Sequence, residues 1–428
     1  MTVVGVLMKI KISSLGCRLN QSEVDSVATV LIDRGHSIVK NYDADVYIVN
    51  ACSVTLRSER KTRQLVYRAL GATNENALVI LTGCTGDVHF EDGILHISND
   101  HKYLIPDLID NYITPSDLKK TSSSRFSYVS PVKSPTNRVN LKIQDGCDRY
   151  CSYCIIPYMR GEPQSKPMKD VLHNFNELID AGYSEIILSG VMIGNYNDKG
   201  NSLEDLVEEL LKIQAYFRIH LTSISPSSVS HKLIDLLSHE NMVHHLHLSL
   251  QSGSDTVLQR MNRSYTGNDY RTVVNNLRKK DSLFNFTTDI ITGFPGETDA
   301  EFNDTIQLVT DVMFSHIHTF RFSPRPGTKA ADMTNQVEEY IKTERSNIVQ
   351  DLCLKMKSQF YNQFRGRETI FLSEKFKKGV TTGFNEYYVP IEIVDHLPKN
   401  QFYRVRTEYE EGSLSCNASI IEELLIKK

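Results

Sequence analysis

The 428-residue chain has no apolar run approaching the roughly twenty residues a membrane-spanning helix needs, so no such helix is expected. Its opening Met1-Thr2-Val3-Val4-Gly5-Val6-Leu7-Met8 is apolar but lacks a basic n-region and a small-residue cleavage site, which argues against a signal peptide. Excess positive charge is missing too: 48 Lys and Arg face 52 Asp and Glu, a formal net charge of −4. Nothing global therefore marks a nucleic-acid binder, and any such contact has to be local. There is no internal repeat or low-complexity tract, which leaves an ordinary globular chain of two or three domains. Without an export signal the eight cysteines are expected in a reducing, cytoplasmic setting, where clustered thiols mean metal or catalysis more often than disulfides.

Residues 8–114 alternate short apolar strands, at 9–14, 46–50, 78–82 and 94–98, with amphipathic helices near 22–34 and 57–70. That alternation predicts a parallel α/β sheet. A Ser-, Lys- and Pro-rich stretch at 115–137 reads as a linker. From 138 to about 328 six further strand candidates, at 139–144, 185–189, 219–224, 245–250, 285–291 and 316–322, alternate with helices. Six rather than eight such units predict an open (βα)-type barrel, whose chemistry sits at the carboxyl ends of its strands. A long helix is expected at 341–364, and then short strands with turns at Gly383 and Asn385, suggesting a small β-barrel.

Three cysteines follow the first of those barrel strands in Asp145-Gly146-Cys147-Asp148-Arg149-Tyr150-Cys151-Ser152-Tyr153-Cys154, a C-x3-C-x2-C spacing. Three thiolates can ligate one four-iron, four-sulfur cube and leave one iron open. Structural zinc, the rival, wants four closed ligands, and no fourth cysteine or histidine lies nearby in sequence. Cys17, Cys52 and Cys84 look scattered, yet each directly follows a predicted strand of the first sheet. Parallel strands end on one edge, so these thiols are expected to converge on a second open cluster, the alternative being three buried cysteines acting as small hydrophobes.

The runs Lys142-Ile143-Gln144-Asp145-Gly146-Cys147 and Ile155-Ile156-Pro157-Tyr158 closely resemble the radical S-adenosylmethionine enzymes. Gly16-Cys17-Arg18-Leu19-Asn20, Asn50-Ala51-Cys52-Ser53-Val54-Thr55 and Thr82-Gly83-Cys84 look like the three motifs of the amino-terminal domain of the methylthiotransferases. The resemblance covers nearly the whole chain. It implies an α/β fold: a methylthiotransferase amino-terminal domain with a parallel sheet at 8–114, a partial (βα)6 radical S-adenosylmethionine barrel with trailing helix at 138–364, and a TRAM-like β-barrel at 365–428. It also implies two 4Fe–4S clusters. The one on Cys147, Cys151 and Cys154 would reduce S-adenosylmethionine to a deoxyadenosyl radical; the one on Cys17, Cys52 and Cys84 would supply or carry sulfur. A second S-adenosylmethionine would supply the methyl group.

Further residues follow from the resemblance as cofactor contacts: Ser189 and Gly190 ending the second barrel strand, Gln251, Gly293 in Thr292-Gly293-Phe294-Pro295-Gly296-Glu297-Thr298, and Phe322. A strand-end turn at Ser189 and Gly190, and a helix cap at Thr298, explain part of the same sequence without a ligand. Val54-Thr55, Ile224-Ser225-Pro226-Ser227 and Arg260-Met261-Asn262-Arg263-Ser264-Tyr265-Thr266 most resemble the branch that acts on N6-threonylcarbamoyladenosine in tRNA. The isopentenyladenosine branch, the branch that modifies an aspartate of a ribosomal protein, and a non-catalytic iron–sulfur or zinc RNA-binding scaffold are the alternatives. The implied partners are tRNA, an electron donor protein and a sulfur source, with no membrane. Arg365, Arg367, Lys375, Lys377 and Lys378 are the local positive charge expected to meet RNA, although Glu408, Glu410, Glu411, Glu422 and Glu423 make the end of that segment acidic. His245 and His247 read as a packed or solvated pair, and Cys353 and Cys416 as structural or merely exposed.

Overall fold

The computed structural model describes residues 6–72, 77–85, 93–121, 124–133 and 138–424; the apolar start at 1–5 and positions 122–123 and 134–137 of the expected linker lie outside them. The chain forms two units, one of residues 1–148, 155–181 and 189–191, the other of 149–154, 182–188 and 192–428.

In the first unit β1 (Lys9–Ser14), β2 (Ser37–Ile38), β3 (Val46–Cys52), β4 (Leu78–Cys84) and β5 (Ile94–His96) make a parallel sheet in the order β2-β1-β3-β4-β5. β3 is buried at every position, as a parallel strand covered on both faces must be. On one face Ile10, Val46, Ile48 and Ile80 pack against Val27 and Leu31 of α1 (Arg18–Asp33) and Ile105 and Leu108 of α3 (Ile105–Ile109). On the other, Val49 and Leu81 meet Val66 of α2 (Leu56–Leu70). α2 starts where a capping box forms: Thr55 accepts from the Ser58 amide and Ser58 returns the bond to Thr55. Three boundaries here differ from expectation. β3 and β4 run on through Cys52 and Cys84, which are cross-strand partners, and α1 begins at Arg18 because Cys17 occupies its N-cap.

The same unit holds β6 (Val139–Lys142), the short pair β7 (Gln144–Asp145) and β8 (Gln164–Ser165), α4 (Ile156–Arg160) and α5 (Met168–Asp180). The Ile143 N–H donates to Ser189 O at 3.0 Å. Residues 124–133 are tied down: Ser124 N–H donates to Asp100 O at 3.1 Å, and Arg125 reaches Asp100 at 3.2 Å.

The second unit carries the remaining barrel strands. β9 (Glu185–Ser189) enters it, a hairpin of β10 (Asn197–Asp198) and β11 (Asn201–Ser202) leads into α6 (Leu203–Leu211), and β12 (Arg218–Leu221) pairs with β9 in parallel. After α7 (His231–Leu236), bridges Ile219↔Met242 and Ile224↔Leu248 carry the array to β13 (His245–His247). Helices α8 (Asp255–Arg260) and α9 (Gly267–Lys280) then connect β13 to the parallel strand β14 (Asn285–Thr292), and α10 (Asp299–Val312) connects β14 to the parallel strand β15 (His316–Arg321). All six barrel strands read from the sequence are present. β12 and β13 stop short of their expected ends at 224 and 250, because beyond them pairing shrinks to single bridges.

The long helix α11 (Glu339–Asn362) precedes a closed barrel of β16 (Glu368–Lys377), β17 (Val380–Asn385), β18 (Pro390–Ile393), β19 (Phe402–Glu408) and β20 (Cys416–Leu424), ordered β16-β17-β18-β20-β19. Gly383 is not a turn residue. It sits inside β17, where an added Cβ would lie 1.9 Å from Leu372 O, so only glycine lets the strands approach. This small barrel packs on the amino-terminal ends of the larger barrel's strands. Arg218 bonds Ile370 O and Phe384 O, the His244 N–H donates to Glu386 O, and Asn285 donates to Tyr387 O.

Candidate metal centres and cofactor cradle

The first trio is gathered by the sheet. Cys52 and Cys84 end neighbouring strands in register, and Gly16, beside Cys17, comes so close that a Cβ there would lie 3.2 Å from Cys52 Sγ. Gly16 and Gly83 both take left-handed backbone, with φ of 99° and 95°, and a Cβ on Gly83 would meet Ala51 O at 2.5 Å. Burial pushes the Cys52 thiol up; the Val54 amide and Ser58 hydroxyl oppose this, while Cys84 and Cys17 add to it, so the three sulfurs feel one another's charge. Cys17 is exposed and Cys52 and Cys84 are buried, so the site opens on one side. Asn20 stitches the thiol-bearing loops together, its Nδ2 donating to Leu15 O at 3.0 Å and Ala51 O at 2.9 Å.

Behind this edge lies a buried ionic network that no sequence pattern announced. Glu23, inaccessible on α1, accepts from Lys102 at 2.5 Å, Lys142 at 2.7 Å and Arg160 at 3.0 Å. Arg160 also pairs with Asp145 at 2.9 Å and donates to Asn20 Oδ1 at 2.6 Å. Burial alone would raise the Glu23 carboxyl, but Arg160, Lys102 and Lys142 hold it well below its ordinary value. Cys84 lies within electrostatic reach of Lys102 and Arg160. Three cations against two carboxylates leave a positive surplus suited to an anionic iron–sulfur group.

The second trio occupies a loop braced at both ends. In the first unit Cys147 donates its N–H to Gly161 O at 3.0 Å, Asp145 Oδ1 accepts the Gly146 N–H at 2.8 Å, and Gly146 leaves no room for a Cβ, which would meet Glu162 O at 2.1 Å. In the second unit the Cys154 N–H donates to Cys151 O at 2.9 Å and the Ser152 N–H to Met261 O at 3.1 Å. Asn262 Nδ2 holds Arg149 O and Tyr150 O, each at 3.1 Å. Arg263 donates to Cys151 Sγ at 3.2 Å and stacks on Tyr265. In sequence Arg260–Thr266 is a family signature only; the fold shows Asn262 and Arg263 holding the cysteine loop.

Three expected cofactor contacts meet around the carboxyl end of β14. Gln251 has left-handed backbone, φ 70°, rare for a residue with a side chain; its N–H donates to Asp289 O at 2.8 Å and its carbonyl accepts from Ile291. Gly293 donates to Glu297 at 2.7 Å, and a Cβ there would meet Lys342 Cγ at 2.3 Å. Arg345 from α11 clamps Glu297 at 2.7 Å. The Phe322 N–H donates to Thr292 O at 2.9 Å, which holds Phe322 beside the end of β14. Thr298 caps α10, as its sequence suggested. Ser189 and Gly190 are buried in the first unit, Ser189 Oγ donating to Leu141 O at 3.2 Å.

His245 and His247 belong to a hydrogen-bonded file inside the barrel. His220 meets His245 at 3.0 Å, Thr287 joins His245 at 2.9 Å to His247 at 3.1 Å, and His247 reaches Asp289 at 3.2 Å. Cys353 and Cys416 are both buried; Cys353 Sγ accepts the Ile317 N–H, and burial lifts the Cys416 thiol to about 12. Arg365, Arg367, Lys375, Lys377 and Lys378 are all exposed.

Among the described residues no group of three or more His, Cys, Asp or Glu side chains is drawn tightly enough to hold one metal ion. Thiolates of an iron–sulfur cube sit on separate irons and stand further apart, so an all-thiol, three-membered set around a cation-backed opening fits such a cube. No described helix is long and apolar enough to cross a membrane.

Residues 141–309 match the Radical SAM superfamily model, and residues 9–103 match one described as Uncharacterized protein family UPF0004. Threonylcarbamoyladenosine tRNA methylthiotransferase MtaB of Thermotoga maritima is 37% identical over 427 residues, covering 96% of this chain and 98% of that protein. The tRNA-2-methylthio-N(6)-dimethylallyladenosine synthase of Syntrophus aciditrophicus is 32% identical, covering 86% and 84%. Among solved structures, the radical S-adenosylmethionine methyltransferase TsrM of Kitasatospora setae has a TM-score of 0.54 at 11% identity, covering 76% of this chain and 77% of that one, a likeness of fold alone. The fold is that of a radical S-adenosylmethionine protein, and the chain belongs to the methylthiotransferase family within that superfamily.

Proposed function

We propose that this chain is a tRNA methylthiotransferase that converts N6-threonylcarbamoyladenosine next to the anticodon to its 2-methylthio derivative in the cytoplasm. The observation that carries this reading is the convergence of Cys17, Cys52 and Cys84 at one sheet edge, in a chain that holds a separate C-x3-C-x2-C trio. The Thermotoga maritima relative described by that activity is similar over almost its whole length. Cys147, Cys151 and Cys154 would hold one 4Fe–4S cluster and Cys17, Cys52 and Cys84 the other. When bound, these clusters and S-adenosylmethionine supply reductive radical generation and the sulfur that replaces an unactivated hydrogen, chemistry beyond side-chain acids and bases.

The chain's residues hold and orient. Arg263 steadies Cys151 through its sulfur, and Asn262 fixes the loop between Cys147 and Cys151. Gln251, Gly293 and Phe322 at the end of β14 are proposed S-adenosylmethionine contacts, and Ser189 and Gly190 at the end of β9 are proposed contacts of their own, glycine permitting close backbone approach. Residues 8–114 serve as the sulfur-handling domain, 138–364 as the radical barrel and 365–428 as a TRAM domain, whose exposed Arg365, Arg367, Lys375, Lys377 and Lys378 contact tRNA.

Nucleoside mass spectrometry of tRNA from cells lacking the gene tests the reading: the methylthio group should vanish from threonylcarbamoyladenosine and persist on isopentenyladenosine. The opposite pattern transfers the substrate to the other branch, and no change on either refutes a tRNA substrate. After anaerobic reconstitution, Cys151→Ala should halve bound iron and abolish deoxyadenosine production, whereas Cys52→Ala should halve iron and spare it. Loss of deoxyadenosine in both variants refutes separate roles for the two trios.

A further inference from the structure

We propose that the solvent-facing stripe of α2 is a binding surface for an RNA phosphate backbone, placed beside the Cys17, Cys52 and Cys84 edge. The inference rests on the tRNA reading and adds to it a surface outside the small carboxyl-terminal barrel.

α2 carries five basic residues, Arg57, Arg60, Lys61, Arg63 and Arg68, against one acid, Glu59, in a chain whose formal net charge is −4. At 100° per residue Arg57, Arg60, Lys61, Gln64 and Arg68 fall on one face, and all five are exposed. The opposite face is the packed one, with Thr62, Val66 and Ala69 buried. Arg63, off the stripe, pairs with Glu59 at 3.4 Å, so the lone acid sits away from the exposed cations. From Arg57 to Arg68 the stripe spans about 16 Å, on the order of five phosphates of one strand.

The cations are mostly arginines, whose planar fork suits phosphate and carboxylate oxygens alike. What favours RNA over an acidic protein is aromatic surface among them. Exposed Tyr67 lies on the same side of the helix, and Arg68 stacks on Tyr42 at 4.2 Å, with Lys11 over that ring at 4.4 Å. Those two cations and Tyr47 cover Tyr42, so Tyr67 is the ring placed to stack on an unstacked base of a single-stranded loop. The helix opens four residues after Cys52, and Thr62 on its buried face ties it to that cysteine, accepting the Cys52 N–H at 3.4 Å and donating to Cys52 O at 3.2 Å. A backbone held along α2 is thus held next to the first trio.

The test is binding of an unmodified tRNA transcript to the full-length chain across a salt series, for wild type, for Arg57→Gln/Arg60→Gln/Lys61→Gln, and for Arg57→Lys/Arg60→Lys. Each lost phosphate contact lowers the steepness of log K against log salt by about 0.7 to 0.9. The triple variant should therefore flatten that slope by about 2 and weaken binding at least tenfold at low salt, while keeping the wild-type melting curve and iron content. The lysine variant should retain the slope. An unchanged slope and affinity in the triple variant overturns the proposal and leaves the tRNA substrate intact, as does loss of an acidic protein partner with tRNA binding unaltered. Failure of wild type to bind tRNA overturns both.

Discussion

Glu23→Gln removes a carboxylate shared by three buried cations. Lys102, Lys142 and Arg160 lie 2.5, 2.7 and 3.0 Å from its oxygens, and Glu23 and Lys102 have no accessible side-chain surface. In the variant, Asp145 still pairs with Lys142 and Arg160, but Lys102 loses its carboxylate partner at Glu23. Removing one partner of a buried ion pair costs about 3–5 kcal/mol, because the remaining charge stays desolvated and uncompensated. With urea slopes of about 1–3 kcal/mol per molar, the midpoint should fall by on the order of 1–5 M. Far-UV circular dichroism of the full-length chain in urea measures it. Adding Lys102→Met should recover part of the loss, since the cation left stranded is then gone. A fall below about 1 kcal/mol, or strictly additive effects in the double variant, would refute the account. The pH sign follows from the depressed carboxyl. Glu23 releases its proton more readily folded than unfolded, so its stabilisation is full above the ordinary glutamate range and is lost as pH falls through its lowered folded value. Glu23→Gln should flatten the acid limb of the stability profile.

Gly383→Ala should destabilise the small barrel by about 1–3 kcal/mol through overpacking, because the new Cβ would lie 1.9 Å from Leu372 O; an unchanged thermal unfolding curve would show that β16 and β17 separate freely. Burial first, then the neighbouring charges of His318, Lys357 and His247, lowers the His316 pKa to about 4. Its imidazole should stay neutral in an NMR titration down to about pH 5, and stability should fall as pH drops from the ordinary histidine value toward 4. A His316 titration near its ordinary value would remove the buried-histidine explanation.

Local chemistry was well exposed in the primary structure. The C-x3-C-x2-C run, the glycines flanking Cys17, Cys84 and Cys147, and the strand–helix alternation are short-range signals, and each lies where it was read. Gly383 reads as a turn in sequence because a glycine that makes a turn and one that admits a neighbouring strand look alike without knowledge of what stands opposite. The strand ends at Cys52 and Cys84 were placed short because only cross-strand pairing carries β3 and β4 through the cysteines.

Residue order favoured an iron–sulfur cluster over zinc through thiol number and spacing, the resemblance of the flanking runs identified the cofactor class, and the apolar repeats gave the period of the α/β segments. Tertiary structure decided which distant charges meet. Glu23 finds Lys102, Lys142 and Arg160 across 79, 119 and 137 positions. It also decided that the small barrel closes the amino-terminal ends of β12, β13 and β14, and that the cations of α2 share one exposed stripe while its apolar residues are covered. The physical reason is that burial and charge pairing depend on distance in space. The chain fixes that distance only once hydrophobic collapse has chosen which faces are covered.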